Sequence, residues 1–531
     1  MHMHMKKNRN KILTTLSLLG LLASCGAKEG YVIEPQSVQG GSAFYEIFVG
    51  SYCDSNGDGI GDLKGIESKL DYIQKLGVSN IWLTPVHPSN SYHKYDVKDY
   101  YAIDPTFGTL DDFDSLVQKA KEKGIGVIMD MVFNHTSRKS TWFTSFAEAA
   151  RRGDLTSPYI DNFVWSTKPK YGYTEMSECG GLYIESNFDS NMPELNLDSE
   201  YVREELKKIQ NFWLNRGVAG FRYDAVVYYY CENNGGVISG DLERNVSFMK
   251  YLHDAAKQTK SDVYLVGEAW INDQNTIASY TRSGMNAFNF VTSGVDASGS
   301  AGKIALDGGP QDFAAGVVRA QQSIKEAGGG AEPCYFVSNH DQDRWGTFRN
   351  GLPYAEEARK AVASCYLLTP GTPFIYYGEE IQMRGIRKAT EMTDASRRQA
   401  MVWGDPSITC VDPEKYKSDD QVTIGVAQAE GDGYSMLNHY RKVLSIRNKY
   451  KGLFRNGTYS ALNLGDERAC GFKINYDGKD YYLYHNCYRD PITVNEIGSG
   501  ELLESVNTVK TAPKVSGSTI EIPAYSTILV R

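Results

Sequence analysis

Short apolar runs alternate with stretches of helical period along most of the chain, the pattern of a repeating β/α unit. Residues 44–49 read as a strand, 66–73 as a helix and 81–84 as a second strand; 113–123 follows as a helix and 125–130 as a strand. Further strands are expected at 219–224, 263–268, 287–290, 334–339 and 374–377. That makes eight strands, the number that closes a parallel (β/α)8 barrel, so the expected fold class is α/β. Two stretches break the rhythm. Residues 135–193, rich in Ser, Gly, Tyr and Trp and without clear helical periodicity, are too long for a βα loop and predict a subdomain inserted after the third strand. From 451 to 531 short alternating strands separated by turns such as Asp477-Gly478 and Ser516-Gly517 predict a C-terminal all-β domain. The barrel then takes 42–134 and 194–450.

The first 24 residues have the form of an export signal: a basic segment, then an apolar run over 12–22 that is too short to span a bilayer. The run ends Leu22-Ala23-Ser24-Cys25-Gly26, which resembles the bacterial lipobox. The resemblance implies lipidation of Cys25 and a polar tether over 25–41. It also implies an exported protein held to a membrane by its lipid alone, at the cell surface or in the periplasm. The other eight cysteines are scattered without a CxxC, so no zinc site is readable and few disulfides or none are expected.

Composition narrows the function classes. Hydrophobic residues make up 41% and charged residues 23%, which excludes a disordered chain. The net charge of -9 has the wrong sign for a protein that neutralises phosphates, so nucleic acid is excluded as a partner. The 36 Tyr suit a groove lined with flat amphipathic rings.

Acidic residues recur where the expected strands end: Asp130, Asp224, Glu268 and, just beyond the seventh strand, Asp341. In a parallel barrel these ends open onto one face, so the carboxylates should converge, together with His135, Arg222 and His340. Carboxylates with His and Arg, and no Cys/His metal spacing, suit glycosidic bond cleavage: one carboxylate attacks or stabilises the sugar cation while another stays protonated for the leaving oxygen.

The motifs Asp130-Met131-Val132-Phe133-Asn134-His135, Gly220-Phe221-Arg222-Tyr223-Asp224, Gly267-Glu268-Ala269-Trp270 and Val337-Ser338-Asn339-His340-Asp341 resemble those of the α-amylase family, glycoside hydrolase family 13. The resemblance covers nearly the whole chain after the signal. It implies a retaining mechanism with Asp224 as nucleophile, Glu268 as general acid and then base, and Asp341 as the carboxylate that binds ring hydroxyls. Retaining enzymes hold the first two about 5–5.5 Å apart. It also implies that Arg222 partners the nucleophile, that His135 and His340 hydrogen-bond the sugar, and that Tyr95 stacks on it.

A second signal is Asp54-Ser55-Asn56-Gly57-Asp58-Gly59-Ile60-Gly61-Asp62, with oxygen donors at alternate positions. An EF-hand would place Glu where this chain has Gly65. The loop resembles a calcium loop of part of the family, which implies Asp54, Asn56, Asp58, the Ile60 carbonyl and Asp62 as ligands of a structural Ca2+.

The chain departs from the family where a Lys-His pair often follows the nucleophile: it has Val227 and Tyr228, which puts in doubt the reducing-side contacts and a second calcium site with Asn134 as ligand. Met192-Pro193-Glu194-Leu195-Asn196 resembles the intermediate α-amylases more than the oligo-1,6-glucosidases, Tyr92 stands where exo-acting α-glucosidases tend to carry Asp, and Ala225 stands where α-1,6-specific relatives often have Val. The resemblance thus implies an α-amylase acting on internal α-1,4 bonds of starch and maltooligosaccharides. It leaves open an α-glucosidase, a neopullulanase-like enzyme, a glucanotransferase, or a starch-binding surface protein without turnover. It also leaves open whether other starch-uptake proteins join it.

Overall fold

The structure is a computed structural model that describes residue 38 and residues 41–531, except 295–299, 308, 349–350, 352, 389–391, 393, 414–420 and 496–499. Cys25 and the expected signal segment lie outside the described residues.

Eight parallel strands close a barrel: β1 (Phe44–Ile47), β2 (Asn80–Leu83), β3 (Gly126–Met131), β4 (Gly220–Tyr223), β5 (Tyr264–Gly267), β6 (Asn286–Phe288), β7 (Pro333–Tyr335) and β8 (Thr372–Tyr376). Closure comes from β1 pairing with both β2 and β8, with Phe44 opposite Asn80 on one side and Phe374 on the other. The barrel interior is filled by side chains, among them Phe44, Trp82, Ile128, Val266, Phe288 and Phe374, all buried. Phe44 and Phe374 stack at 4.5 Å between centroids. This is a packed core, so a ligand is left only the rim formed by the strand ends.

The expected strands are all present, with ends within one or two residues of those expected except at β7. β1 stops at Ile47 because Val49–Ser51 turns into a 3-10 helix, and β7 stops at Tyr335. The helix expected at 66–73 is divided at Lys69 into Leu63–Ser68 and Leu70–Leu76, the first capped by Asp62, whose side chain accepts from the Gly65 N–H.

Between β3 and β4 the chain is not without helix. Thr141–Arg151 is helical, capped by the Ser140 side chain on the Phe143 N–H, and it buries Phe143, Phe146, Ala147 and Ala150 on one face. That amphipathic stripe spans three turns among polar residues, too brief to stand out from its surroundings. A three-stranded sheet of Trp165–Ser166, Tyr173–Met176 and Leu182–Glu185 completes this segment.

The β-rich region begins at 458 rather than 451, since Lys451–Asn456 is still helical. It contains β9 (Thr458–Ala461), β10 (Ala469–Tyr476), β11 (Lys479–Asn486), β12 (Ile492–Asn495), β13 (Leu502–Val506), β14 (Lys514–Ser516), β15 (Thr519–Ile522) and β16 (Thr527–Val530). They form a five-stranded sheet in the order β9-β10-β11-β16-β13 and a three-stranded sheet in the order β12-β15-β14, with Ile492, Val494, Ile520, Ile522, Ile528 and Val530 buried in one cluster.

All eight described cysteines are free. The fold brings Cys365, Cys470 and Cys487 together from distant segments, a proximity that no local spacing carries.

Candidate active site

The ends of the parallel strands deliver the expected residues to one rim. Arg222 sits on β4 with Asp224 two positions on, so both point inward on the same strand face. Glu268 follows β5 directly, Asp130 is near the end of β3, and His340 and Asp341 lie in the loop after β7. Tyr95 comes from the loop after β2. There Lys94 adopts φ 66° and its ammonium pairs with Asp104 at 2.9 Å, while Asp96 accepts from the Asn90 and Ser91 backbone N–H groups.

One guanidinium organises three carboxyl groups. Arg222 Nη1 donates to Asp224 Oδ1 at 2.6 Å and to Asp130 Oδ1 at 2.9 Å, and Nη2 lies 2.8 Å from Glu268 Oε1. The other Glu268 oxygen accepts from the Ala225 N–H at 3.0 Å. Ala225 has φ 51°, a left-handed conformation that costs a non-glycine residue about 1–2 kcal/mol and here turns its N–H toward Glu268.

Asp341 is held separately. Its carboxylate accepts from Arg398 Nη2 at 2.7 Å and lies 2.9 Å from His340 Nε2. His340 Nδ1 is 2.6 Å from Glu46 Oε1 on β1, and Nε2 is 2.7 Å from the Tyr95 hydroxyl, which donates to Asp130 Oδ2 at 2.9 Å. Tyr95 and His340 stack at 5.5 Å and 10°. A continuous chain of polar contacts therefore runs from Glu46 through His340 and Tyr95 to Asp130 and Arg222.

Electrostatics divides these groups. Burial pushes the Glu268 carboxyl up to about 8, with Asp224 and Asp341 adding to the rise against the pull of Arg222. Burial also raises Asp341, but the charges of His340 and Arg398 outweigh it and hold this carboxyl well below the usual range. His340, despite burial that would lower it, is pushed up to about 10 by Asp341 and Glu46. Burial lifts Asp130 to about 6 against Arg222. At neutral pH one carboxyl facing the cleft thus keeps a proton while another is firmly ionised, the division that acid-assisted glycosidic cleavage requires.

A cleft of about 670 Å³ opens over the rim, and Tyr95, His135, Asp224, Glu268 and Asp341 line it. His135 Nε2 is buried without a hydrogen-bond partner, a donor or acceptor left for whatever enters. Arg222 and His340 stand behind the residues that line the cleft. Each is 1% exposed, and their polar contacts go to carboxylates and to Tyr95. Aromatic faces continue the cleft: Phe188 packs on Tyr228 at 4.5 Å, and Trp270, 49% exposed, stacks on Phe290 at 4.9 Å.

Glu46 and Arg398 are the site residues that sequence reasoning missed. Glu46 sits within an apolar strand where a single inward acid is the available signal, and Arg398 lies in a loop with no motif around it.

The 54–62 loop lies outside the cleft and is built from nested turns. Asp54 accepts from the Asn56, Gly57 and Gly59 N–H groups, Asn56 Oδ1 from Asp58, and Asp58 Oδ1 from Ile60, while Asp62 accepts from Ser55 and Gly65. Its oxygen donors are all hard. Among the described residues no Lys or Arg lies within ion-pair distance of Asp54, Asp58 or Asp62. These carboxylates do not come within 4.8 Å of one another as a set of three; the donor atoms of Glu185, Glu194 and Cys231 do. Burial there raises Glu194 to about 8.

Comparison with known proteins agrees with this geometry. The model of the α-amylase catalytic domain matches residues 46–457. Alpha-amylase 3 of Dictyoglomus thermophilum is 36% identical over 504 residues, covering 92% of each chain. An oligo-1,6-glucosidase of Bacillus cereus is 33% identical over 382 residues, 65% of this chain and 66% of that one. The solved structure of Eubacterium rectale Amy13B superposes with a TM-score of 0.85 at 36% identity, covering 93% of this chain and 96% of that one. The chain belongs to the α-amylase family and is a glycoside hydrolase of that type.

Proposed function

We propose that this enzyme is an endo-acting, retaining α-amylase that hydrolyses internal α-1,4-glucosidic bonds of starch and maltooligosaccharides. The observation that carries the reading is the division of protons in one cleft, where Asp224, Glu268 and Asp341 face the same space with Glu268 raised to about 8. Asp224, with one oxygen tied to Arg222, attacks the anomeric carbon. As that bond forms, the glycosidic C–O bond breaks and the Glu268 proton passes to the leaving oxygen. The Glu268 carboxylate then takes a proton from water, whose oxygen displaces Asp224 and restores both groups. Two inversions retain the anomeric configuration. Asp341, kept ionised, accepts from sugar hydroxyls, and Tyr95 offers a face to the ring.

Internal α-1,4 cleavage is supported by the aromatic faces of Phe188, Tyr228 and Trp270 along the cleft and by the full-length likeness to an enzyme named an alpha-amylase. The shorter likeness to oligo-1,6-glucosidases supports a second reading, action on α-1,6 bonds of short oligosaccharides. A time course on soluble starch separates them, with iodine colour, reducing ends and product sizes followed together and Asp224→Asn as the blank. Early loss of colour with mixed maltooligosaccharides is expected. Glucose alone with lasting colour would mean exo-action, and equal behaviour of enzyme and blank would mean a binding protein.

We also propose that Asp54, Asn56, Asp58, the Ile60 carbonyl and Asp62 hold a structural Ca2+, supported by their donor chemistry and by the lack of basic partners. The ion would supply charge neutralisation to the three carboxylates of this loop and no part of the reaction. Export and lipid anchoring through Cys25 complete the proposal; Cys25→Ser should move the protein from the membrane to the soluble extracytoplasmic fraction.

A further inference from the structure

Three thiols meet where the barrel touches the C-terminal sheets. Cys365 lies on the helix Ala355–Leu367, Cys470 on β10, and Cys487 directly after β11. Their sulfur atoms all lie within 4.8 Å of one another, and Cys365 and Cys487 are 3.7 Å apart. Cys365 and Cys470 are fully buried and Cys487 is half-buried. The pairing of β10 with β11 explains the convergence: Cys470 stands opposite His485, and Cys487, two residues on, keeps to the same face while its N–H donates to the Arg468 carbonyl.

Two thiols in a core are unremarkable small apolar groups, but three in mutual contact concentrate soft donors. Their spacing also has a meaning. Tetrahedral coordination with metal–sulfur bonds of about 2.3 Å puts neighbouring sulfurs about 3.8 Å apart, whereas a disulfide needs about 2.05 Å. The observed 3.7 Å matches the first. Close by, His485 Nδ1 meets the Thr527 hydroxyl at 2.8 Å while its Nε2 is buried with no hydrogen-bond partner.

We propose that Cys365, Cys470 and Cys487 bind a soft thiophilic d10 cation, zinc in the first instance, which fastens the C-terminal β-domain to the barrel. His485 stays outside the set of three, so the fourth position goes to water at the half-buried Cys487 edge. Binding is ligand exchange without redox chemistry: each protonated thiol releases its proton to solvent as its sulfur–metal bond forms, and the ion sheds water. The site differs in kind from the 54–62 loop, whose hard oxygens suit calcium.

The test uses the whole reduced protein, stripped of metal and titrated with Co2+ as a spectroscopic substitute and then with Zn2+. One equivalent of Co2+ should produce thiolate-to-cobalt charge-transfer absorption, which oxygen ligands do not give, and Zn2+ should bleach it. Cys487→Ser should lose the band and the zinc-dependent rise in melting temperature, while Cys334→Ser, at a buried thiol elsewhere, should keep both. Should the serine variant fail to fold, the cobalt spectrum of the unaltered protein still decides. No charge-transfer band, with all three thiols reactive after denaturation, overturns the proposal. A mass deficit of two hydrogens that maps to a pair of these cysteines in the protein as isolated, with no bound metal, overturns it in favour of a disulfide.

Discussion

Replacing Glu268 by Gln keeps the shape of the side chain and removes the proton the site is built to hold. General acid catalysis contributes about 10²–10⁴-fold, or about 2.7–5.4 kcal/mol at about 1.36 kcal/mol per decade, so kcat/KM on maltooligosaccharides should fall by at least that range. The structure adds two finer consequences. Both Glu268 oxygens are engaged, Oε1 lying 2.8 Å from Arg222 Nη2 and Oε2 accepting from the Ala225 N–H. A carboxylic acid can donate from its hydroxyl and still accept there, but an amide nitrogen cannot accept, so one of these donors loses its partner. Stability should drop by about 1–3 kcal/mol in urea unfolding.

The alkaline limb is the second consequence. Since Glu268 must be protonated in the free enzyme and its carboxyl is raised to about 8, kcat/KM of the unaltered protein should fall tenfold per pH unit above about pH 8. The variant should lack that limb. An aryl α-glycoside with a strongly acidic leaving group needs little protonation, so its glycosylation step should lose far less than that of a maltooligosaccharide. Steady-state profiles with both substrates, and a pre-steady-state burst with the aryl one, check this. Equal losses on both substrates with the alkaline limb intact would remove Glu268 from proton donation.

Three other outcomes are expected. Glu46→Gln takes away one of the two carboxylates that hold His340 protonated, which should lower its titration in NMR from about 10 and cost about 1–2 kcal/mol at pH 7, the difference between a charged and a neutral hydrogen bond. The sign follows from linkage: a histidine raised from 6.5 to about 10 contributes stability that is full below pH 6.5 and lost as pH rises to about 10, and this slope should shrink in the variant. Calcium at about 100 times its dissociation constant should add about 2.7 kcal/mol and raise the melting temperature, chelation should reverse this before it alters low-temperature turnover, and Asp54→Ala should abolish the response. Trp270→Ala removes a half-exposed ring stacked on Phe290, which should raise KM for long maltooligosaccharides by about 2- to 10-fold with kcat little changed and leave short substrates nearly unaffected.

The sequence by itself determined the barrel, because alternating strand and helix periods leave parallel pairing as the way to bury strands that are apolar on both faces. It also determined that Asp224, Glu268 and Asp341 share a rim, since parallel strands end on one side, and that Arg222 accompanies Asp224, since residues two apart in a strand share a face. The helix Thr141–Arg151 escaped because its apolar stripe is short and lies among residues of no clear period.

What only the tertiary structure decided are the contacts made by closure. Glu46 meets His340 across 294 positions because β1 and β8 pair to complete the ring, and Arg398 reaches Asp341 from the loop beyond β8. Cys365 meets Cys487 across 122 positions because a barrel helix packs on the C-terminal sheet. No local pattern carries such information. The depth to which each carboxyl is buried, and hence which one keeps its proton, depends on neighbours that arrive from the far end of the chain.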